Sequence, residues 1–306
     1  MAFDISALTT AFHDQLEGGE FYNRVAEGTL ADFFNTYSVR NKGTQQLNVN
    51  NANLTFDINV DGNIDAYDNY NSDLDFGRRT LTVDGMAAQG YIATRDLYGS
   101  YAANGATSGD DESVARSFTQ NILDQTSWQY ARSLYSGFGT GTPTNGLSDV
   151  VSTALDISGG AAVTSGNIIA KVQELISDFL GVSGNVALEN ANDLAIIMTP
   201  ANYRLLRAAY RSENYFDTDL VAEGGMMVSR WLDDPRISIY GDPAYTGEMM
   251  IIAADSVFVG VPTLTDLDQV DFWYNPDKKA IGFRIEIWGG VAILEDGHGR
   301  VANHVA

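Results

Sequence analysis

Apolar and polar positions change rhythm several times along the chain, and each change marks a new element. Near the N-terminus, Ile5 to Leu16 and Phe21 to Phe34 carry short amphipathic patterns, broken by Gly18-Gly19 and by Gly28, with Thr29 placed as an N-cap. These pieces predict an arm, too short to build a core of its own. From Leu47 to Asp96 the period drops to two. Leu54, Phe56, Ile58 and Val60, and later Leu81 and Val83, flank a middle rich in Asp, Asn and Tyr. That pattern predicts a long two-stranded excursion with a polar tip.

A small-residue stretch between Tyr98 and Asp110 reads as a loop, and the longest helical pattern follows, from Asp111 to about Tyr135. Ser108 or Asp110 is available as its cap, and Asp111 and Glu112 complement the dipole in the first turn. Val114, Phe118, Ile122, Gln125 and Gln129 form one row, with Leu123, Tyr130 and Leu134 on the next. At the usual rise this helix is a rod of roughly 35 Å. The Gly/Thr/Pro stretch Gly137 to Gly146 ends it.

Beyond it, Ile168, Val172, Leu175, Ile176, Phe179 and Leu180 predict an amphipathic helix that stops at Gly181, a suitable C′ residue. Asp193 leads into the apolar strand Leu194 to Met198. Thr199 and Pro200 then supply an N-cap and an N1 proline for a helix carrying Tyr203, Leu206 and Tyr210 on one side. The last third is mostly strand: Ile237 to Tyr240, Met249 to Ala254, Val257 to Val259, Val270 to Tyr274 and Ala280 to Leu294. In the last of these, Ile281, Phe283, Ile285 and Ile287 alternate with Gly282, Arg284 and Glu286, which predicts one buried face.

Composition then narrows the function. Against 40 Asp and Glu the 306-residue chain has 18 Lys and Arg, a net charge of −22. Its only lysines are Lys42, Lys171, Lys278 and Lys279. A general grip on nucleic acid is thereby disfavoured, because such binding rests on cations displacing counterions from phosphates. The absence of cysteine excludes disulfide scaffolds, thiolate metal sites and thiol catalysis, and fits folding in a reducing compartment. The first residues, Met1-Ala2-Phe3-Asp4, have neither the basic nor the apolar part of a signal peptide, and no apolar run approaches membrane-spanning length.

The order of elements resembles the major capsid protein of tailed bacteriophages, with its Hong Kong 97-type shell fold. The resemblance implies an α+β subunit with an N-terminal arm over residues 1–46, an extended β-hairpin loop over 47–85 and a peripheral domain with a long spine helix over 86–136. An axial domain over 137–260 and return strands to the peripheral domain over 261–306 complete it. The run Leu194 to Leu206 looks like the axial strand and helix of such proteins, and Ile237 to Pro243 followed by Met249 to Pro262 looks like the strands that close that domain. The implied function is structural. Many copies would form hexamers and pentamers that tile an icosahedral shell around double-stranded DNA, without sequence-specific DNA binding and without a membrane. The shell would assemble in the host cytoplasm and end in the virion, with scaffold, portal and decoration proteins as further partners. The chain opens almost directly on the arm, so no long fused scaffold is expected. Lys42 is the only lysine near the loop and nothing around it singles it out, so no covalent cross-link is expected.

The sharpest local motif lies in the loop. Asp57, Asn59, Asp61, Asn63, Asp65 and Asp68 stand at positions 1, 3, 5, 7, 9 and 12 of an EF-hand-like calcium loop, with Gly62 at the sharp turn. Asp in place of Glu at position 12 resembles dockerin-type loops. The same residues also suit a hairpin turn with a solvated tip, and calcium is therefore a candidate ligand only. Asp73 and Asp75 suit a solvated acidic face. The three histidines, His13, His298 and His304, show no metal-binding spacing, and Gly137-Phe138-Gly139-Thr140-Gly141 lacks the Lys-Ser/Thr of a phosphate loop. Asp233-Asp234 and Glu295-Asp296 read as turn formers before Pro235 and Gly297. No constellation supports an enzyme. Tyr67, Tyr70, Tyr91, Tyr98 and Tyr101 gather in and after the loop, where tyrosine suits either an interface or packing within one subunit. Two alternatives stay open: an encapsulin-type nanocompartment shell of the same fold, and an extracellular calcium-binding adhesion module.

Overall fold

β-Branched and aromatic runs in this chain assemble into two mixed sheets. The computed structural model describes residues 8–11, 34–39, 43–52, 74–93, 96, 111–139, 146–151, 154–155, 162–181, 194–213, 221–223, 226–231, 234, 236–262, 270–293 and 299–302. The first sheet holds β1 (Asn35–Val39), β2 (Gly43–Ala52), β3 (Leu74–Ala93), β10 (Val257–Pro262), β11 (Val270–Asn275) and β12 (Ala280–Ile293), in the order β1-β10-β12-β3-β2 with β11 on β12.

Strand β3 is shared between two partners. Its second half runs antiparallel to β12, from Asp84↔Gly289 to Ala93↔Ala280, while its first half pairs only with β2, from Val83↔Gly43 to Leu74↔Ala52. At about 3.3 Å per residue the 20-residue strand is roughly 66 Å long. The excursion expected from Leu47 onward is thus a hairpin whose pairing already starts at Gly43. Its strand-like run Leu54 to Val60 lies outside the described residues. In β12, Ile281, Ile285 and Ile287 are buried and Arg284 is exposed, as the alternation predicts. Gly290 is needed there for a close approach: a β-carbon on it would stand 2.0 Å from the Thr82 carbonyl oxygen of β3.

Across this sheet lies α1 (Asp111–Ser136), 26 residues long and about 39 Å from end to end. Its buried stripe joins the two expected rows, Leu123, Tyr130 and Leu134 of the second being buried, and departs from the first at two positions. Val114, Phe118 and Ile122 are buried, but Gln125 and Gln129 are exposed, and the stripe continues through Thr126 to Tyr130, Leu134 and Tyr135. Ala115, Thr119, Thr126 and Ser133 sit along its middle. Small side chains there let the helix approach the sheet, and Thr119 and Ser133 satisfy their hydroxyls on the carbonyls of Ala115 and Gln129, each at 2.8 Å. Phe118 meets Phe283 of β12 edge to face, with ring centroids 6.1 Å apart.

The short helix α2 (Leu147–Val150) and β4 (Ala154–Leu155) lead to α3 (Ile168–Leu180) and to the second sheet. That sheet has the order β4-β13-β9-β5-β8-β7-β6, with β5 (Leu194–Met198), β6 (Val221–Glu223), β7 (Met226–Arg230), β8 (Ile237–Gly241), β9 (Met249–Ala253) and β13 (Gly299–Ala302). Its middle strands are buried on both faces, which explains the unbroken apolar runs of β5 and β9. One face, with Ala195, Ile197, Tyr240, Met250 and Ile252, shares a core with α1 and the first sheet. The other, with Leu194, Ile196, Met198, Ile239 and Ile251, is covered by α3 and by α4 (Pro200–Ser212). Helix α3 buries Val172, Leu175 and Phe179 and ends at Gly181 as predicted, although Gly181 keeps right-handed backbone at φ −77. Thr199 caps α4 by accepting from the Asn202 N–H at 3.3 Å.

Two differences concern the chain ends. The arm contributes to the subunit's own core: residues 8–11 form a helical turn in which Leu8 is 0% exposed, and Phe34 is buried in the same cluster. At the other end β11 and β12 do join the first sheet, but the last strand, β13, lies in the second, antiparallel to β9 on one side and parallel to the edge strand β4 on the other. Among the described residues, no helix is long and apolar enough to cross a membrane.

Candidate assembly surface

The first sheet carries a corner where apolar rings and cations meet at the surface. Strand β11 turns into β12 through Pro276, Asp277, Lys278 and Lys279, and Asn275 shapes the turn by accepting from the N–H groups of Asp277 at 3.0 Å and Lys278 at 3.1 Å. Lys279 has φ 47, the left-handed conformation that a lysine adopts only at a cost. In the sheet beside the turn, Gly282 of β12 lies between Tyr91 of β3 and Trp273 of β11. A β-carbon on Gly282 would stand 2.3 Å from the Trp273 ring, so the bare glycine is what lets the indole lie across the strand. Tyr91 then meets Trp273 edge to face at 5.9 Å, and the Lys278 ammonium lies 3.8 Å from the Tyr91 ring centroid. Tyr91 is 47% exposed, Tyr274 46% and Trp128, on the outer side of α1, 43%.

A second constellation, fully buried, joins the spine helix to the second sheet. The Tyr135 hydroxyl at the end of α1 donates to Asp242 Oδ2 at 2.5 Å, and Asp242 Oδ1 accepts from the Ala244 N–H at 2.7 Å. The Asp242 N–H in turn donates to the Met198 carbonyl at the end of β5, at 2.9 Å. Tyr245 packs on Tyr135 with centroids 5.2 Å apart. Burial, and then the neighbouring Asp242 carboxylate, hold the Tyr135 phenol well above its usual range, so that it stays a donor. Burial raises Tyr245 as well.

Of the residues singled out in the sequence, Asp57, Asn59, Asp61, Asn63, Asp65 and Asp68 lie outside the described residues, as do all three histidines, Tyr67, Tyr70, Tyr98 and Tyr101. Among the described residues no group of His, Asp and Glu is arranged to hold a metal ion. Asp234 is the turn former expected before Pro235: it binds Arg236 at 2.6 Å, and that guanidinium holds its carboxyl below the usual range. The glycines Gly137 and Gly139 take left-handed φ values of 93 and 121, and Phe138 between them is buried against Gly289 of β12. This stretch terminates a helix. Sequence reasoning missed the Lys278–Tyr91–Trp273 corner and the Tyr135–Asp242 bond, since both join residues far apart in the chain. The visible signals were the paired lysines in a lysine-poor chain and a polar residue at the end of an apolar strand.

No family model and no curated protein matches the chain, whereas solved structures do. The SrpI encapsulin complex of Synechococcus elongatus PCC 7942 aligns with a TM-score of 0.57 at 12% identity, over 90% of this chain and 86% of the other. The capsid of the empty GTA particle aligns with a TM-score of 0.56 at 12% identity, over 91% and 90%. Gordonia phage Cozz aligns with a TM-score of 0.55 at 13% identity, over 92% and 87%. Over nine-tenths of its length, then, the chain has the α+β shell fold found in phage capsids and in encapsulins.

Proposed function

We propose that the chain is the major capsid subunit of a tailed phage, self-assembling into hexamers and pentamers of an icosahedral shell that encloses double-stranded DNA in the virion. Its role is structural and not catalytic, with scaffold, portal and decoration proteins as further partners. The observation that carries this reading is the β2–β3 hairpin on a subunit of this fold. The two strands pair over ten residues; at the base Leu81 and Val83 are buried against Ala292, Phe258 and Trp288 of the first sheet, and from there the ribbon runs out to Ala52↔Leu74. A two-stranded ribbon is at best marginally stable alone, so neighbouring subunits are its natural support. The net charge of −22 agrees with a wall that encloses DNA without gripping it.

An encapsulin-type compartment is a second reading, favoured by the alignment with the SrpI encapsulin complex, which is as good as that with the GTA capsid. The contents of purified particles separate the two. Nuclease-protected double-stranded DNA supports the capsid reading, and a protein cargo without DNA supports the compartment.

Calcium at Asp57, Asn59, Asp61, Asn63, Asp65 and Asp68 belongs to the same proposal. An ion there would neutralise carboxylates that otherwise repel between like-charged subunits. Native mass spectrometry is expected to show one calcium per chain, and EGTA to lower the melting temperature of the particles. Calcium-free mass with EGTA-insensitive melting would remove the ion from the account.

A further inference from the structure

We infer that the exposed face of α4, with Arg204 and Arg211, is a contact for the phosphate backbone of double-stranded DNA inside the shell. The inference rests on the shell reading above and names the surface through which the wall meets its contents.

Charge singles the helix out. In a chain at −22, α4 (Pro200–Ser212) carries three arginines, Arg204, Arg207 and Arg211, and no aspartate or glutamate. Positions three and four apart share a helix face, and on one such face Ala201, Arg204, Ala208 and Arg211 are all exposed. Arg207 between them is half-buried and already engaged within the subunit. Among the described residues, no carboxylate pairs with Arg204 or Arg211.

The fold itself does not call for these two cations. Tyr203, Leu206, Ala209 and Tyr210, on the opposite face, hold the helix against the second sheet. The helix dipole favours Arg211 in the last turn but offers nothing to Arg204 in the second. A reason for the pair has to be sought outside the subunit.

Spacing narrows the partner. Seven residues along a helix place the two arginines about 10.5 Å apart, further than one carboxylate or one phosphate group can bridge. The face therefore suits a polyanion with repeated charges. Guanidinium groups bind phosphate oxygens two at a time, and the methyl groups of Ala201 and Ala208 leave room for a sugar-phosphate backbone to come close. Double-stranded DNA, the polyanion that the proposed shell encloses, offers a charge about every 1.7 Å of its axis. Contacts to its backbone carry no base sequence. Acids border the stripe: Glu213 follows the helix, and Glu174 and Asp178 lie on the exposed side of α3, which covers the same sheet face. The contact is thus one narrow line on a wall that repels phosphate elsewhere.

Ultraviolet irradiation of purified, DNA-filled particles, followed by digestion and peptide mass spectrometry, is expected to find nucleotide adducts within residues 201–211. Arg204→Gln/Arg211→Gln should lower their yield by on the order of tenfold at ~0.15 M salt, and Arg204→Lys/Arg211→Lys should keep most of it, with subunit melting and particle formation unchanged in both. Filled particles without adducts on α4, or a glutamine variant with undiminished yield, overturn this contact and leave the shell reading standing. A glutamine variant that melts like the wild type but forms no particles means that α4 faces another copy, and overturns the contact as well. Particles that hold no DNA overturn the capsid reading and this contact together.

Discussion

Asp242 is a buried carboxylate with one oxygen on the Tyr135 hydroxyl and the other on the Ala244 N–H. Removing a donor from such a group leaves it partly unsatisfied in a dry setting, which costs about 1.5–3 kcal/mol for a bond to a charged acceptor. Tyr135→Phe is therefore expected to lower the unfolding free energy by that amount in denaturant titration, with no loss of helix by circular dichroism. The phenol also predicts an alkaline limit. Its folded pKa lies above the usual value near 10, so its contribution is fully present below pH ~10 and falls as pH rises toward the folded pKa, by about 1.4 kcal/mol per unit. Tyr135→Phe should make the pH dependence above 10 shallower by one proton, and an unchanged slope would mean that this phenol ionises freely in the folded subunit.

At the scale of elements, α4 shows local rules at work. Thr199 accepts from Asn202 N–H and Pro200 occupies the first turn, so Thr199→Ala should cost about 1 kcal/mol in thermal or chemical unfolding. Cap, apolar period and stop made this helix legible from residue order, apolar period and the stop at Gly181 did so for α3, and apolar runs or alternation for strands β5, β8, β9 and β12. In α1 the ends were legible, and so was most of the buried stripe: Val114, Phe118, Ile122, Leu123, Tyr130 and Leu134 are buried as expected, and of the two expected rows only Gln125 and Gln129 are exposed. Hydroxyl and small residues, Ala115, Thr119, Thr126 and Ser133, form its middle, and a count of apolar positions places the stripe too near Gln125 and Gln129. Sheet partners were beyond reach for a related reason. Nothing local to Leu74–Ala93 says that one half pairs with β2 and the other with β12, or that β13 crosses to β9, because those choices are made by chain segments as far away as Gly289 is from Asp84. The Tyr135–Asp242 bond and the Tyr91–Trp273 pair belong to the same class: each residue is unremarkable until the fold brings its partner.

For the whole molecule, two facts pull against each other. Copies at −22 repel one another, yet the β2–β3 ribbon runs out from its buried base at Leu81 and Val83 to Ala52↔Leu74, and the proposed shell would support it on neighbours. In the proposed shell this repulsion is to be offset by apolar interfaces and by salt. A shell subunit should accordingly assemble more readily as salt rises from low ionic strength, since screening removes the long-range repulsion first. The most direct measurement is a negative-stain image of the purified chain across salt and concentration. Closed polyhedral particles, or rings of five and six subunits, are the predicted result, and a strictly monomeric species under every condition would contradict the account.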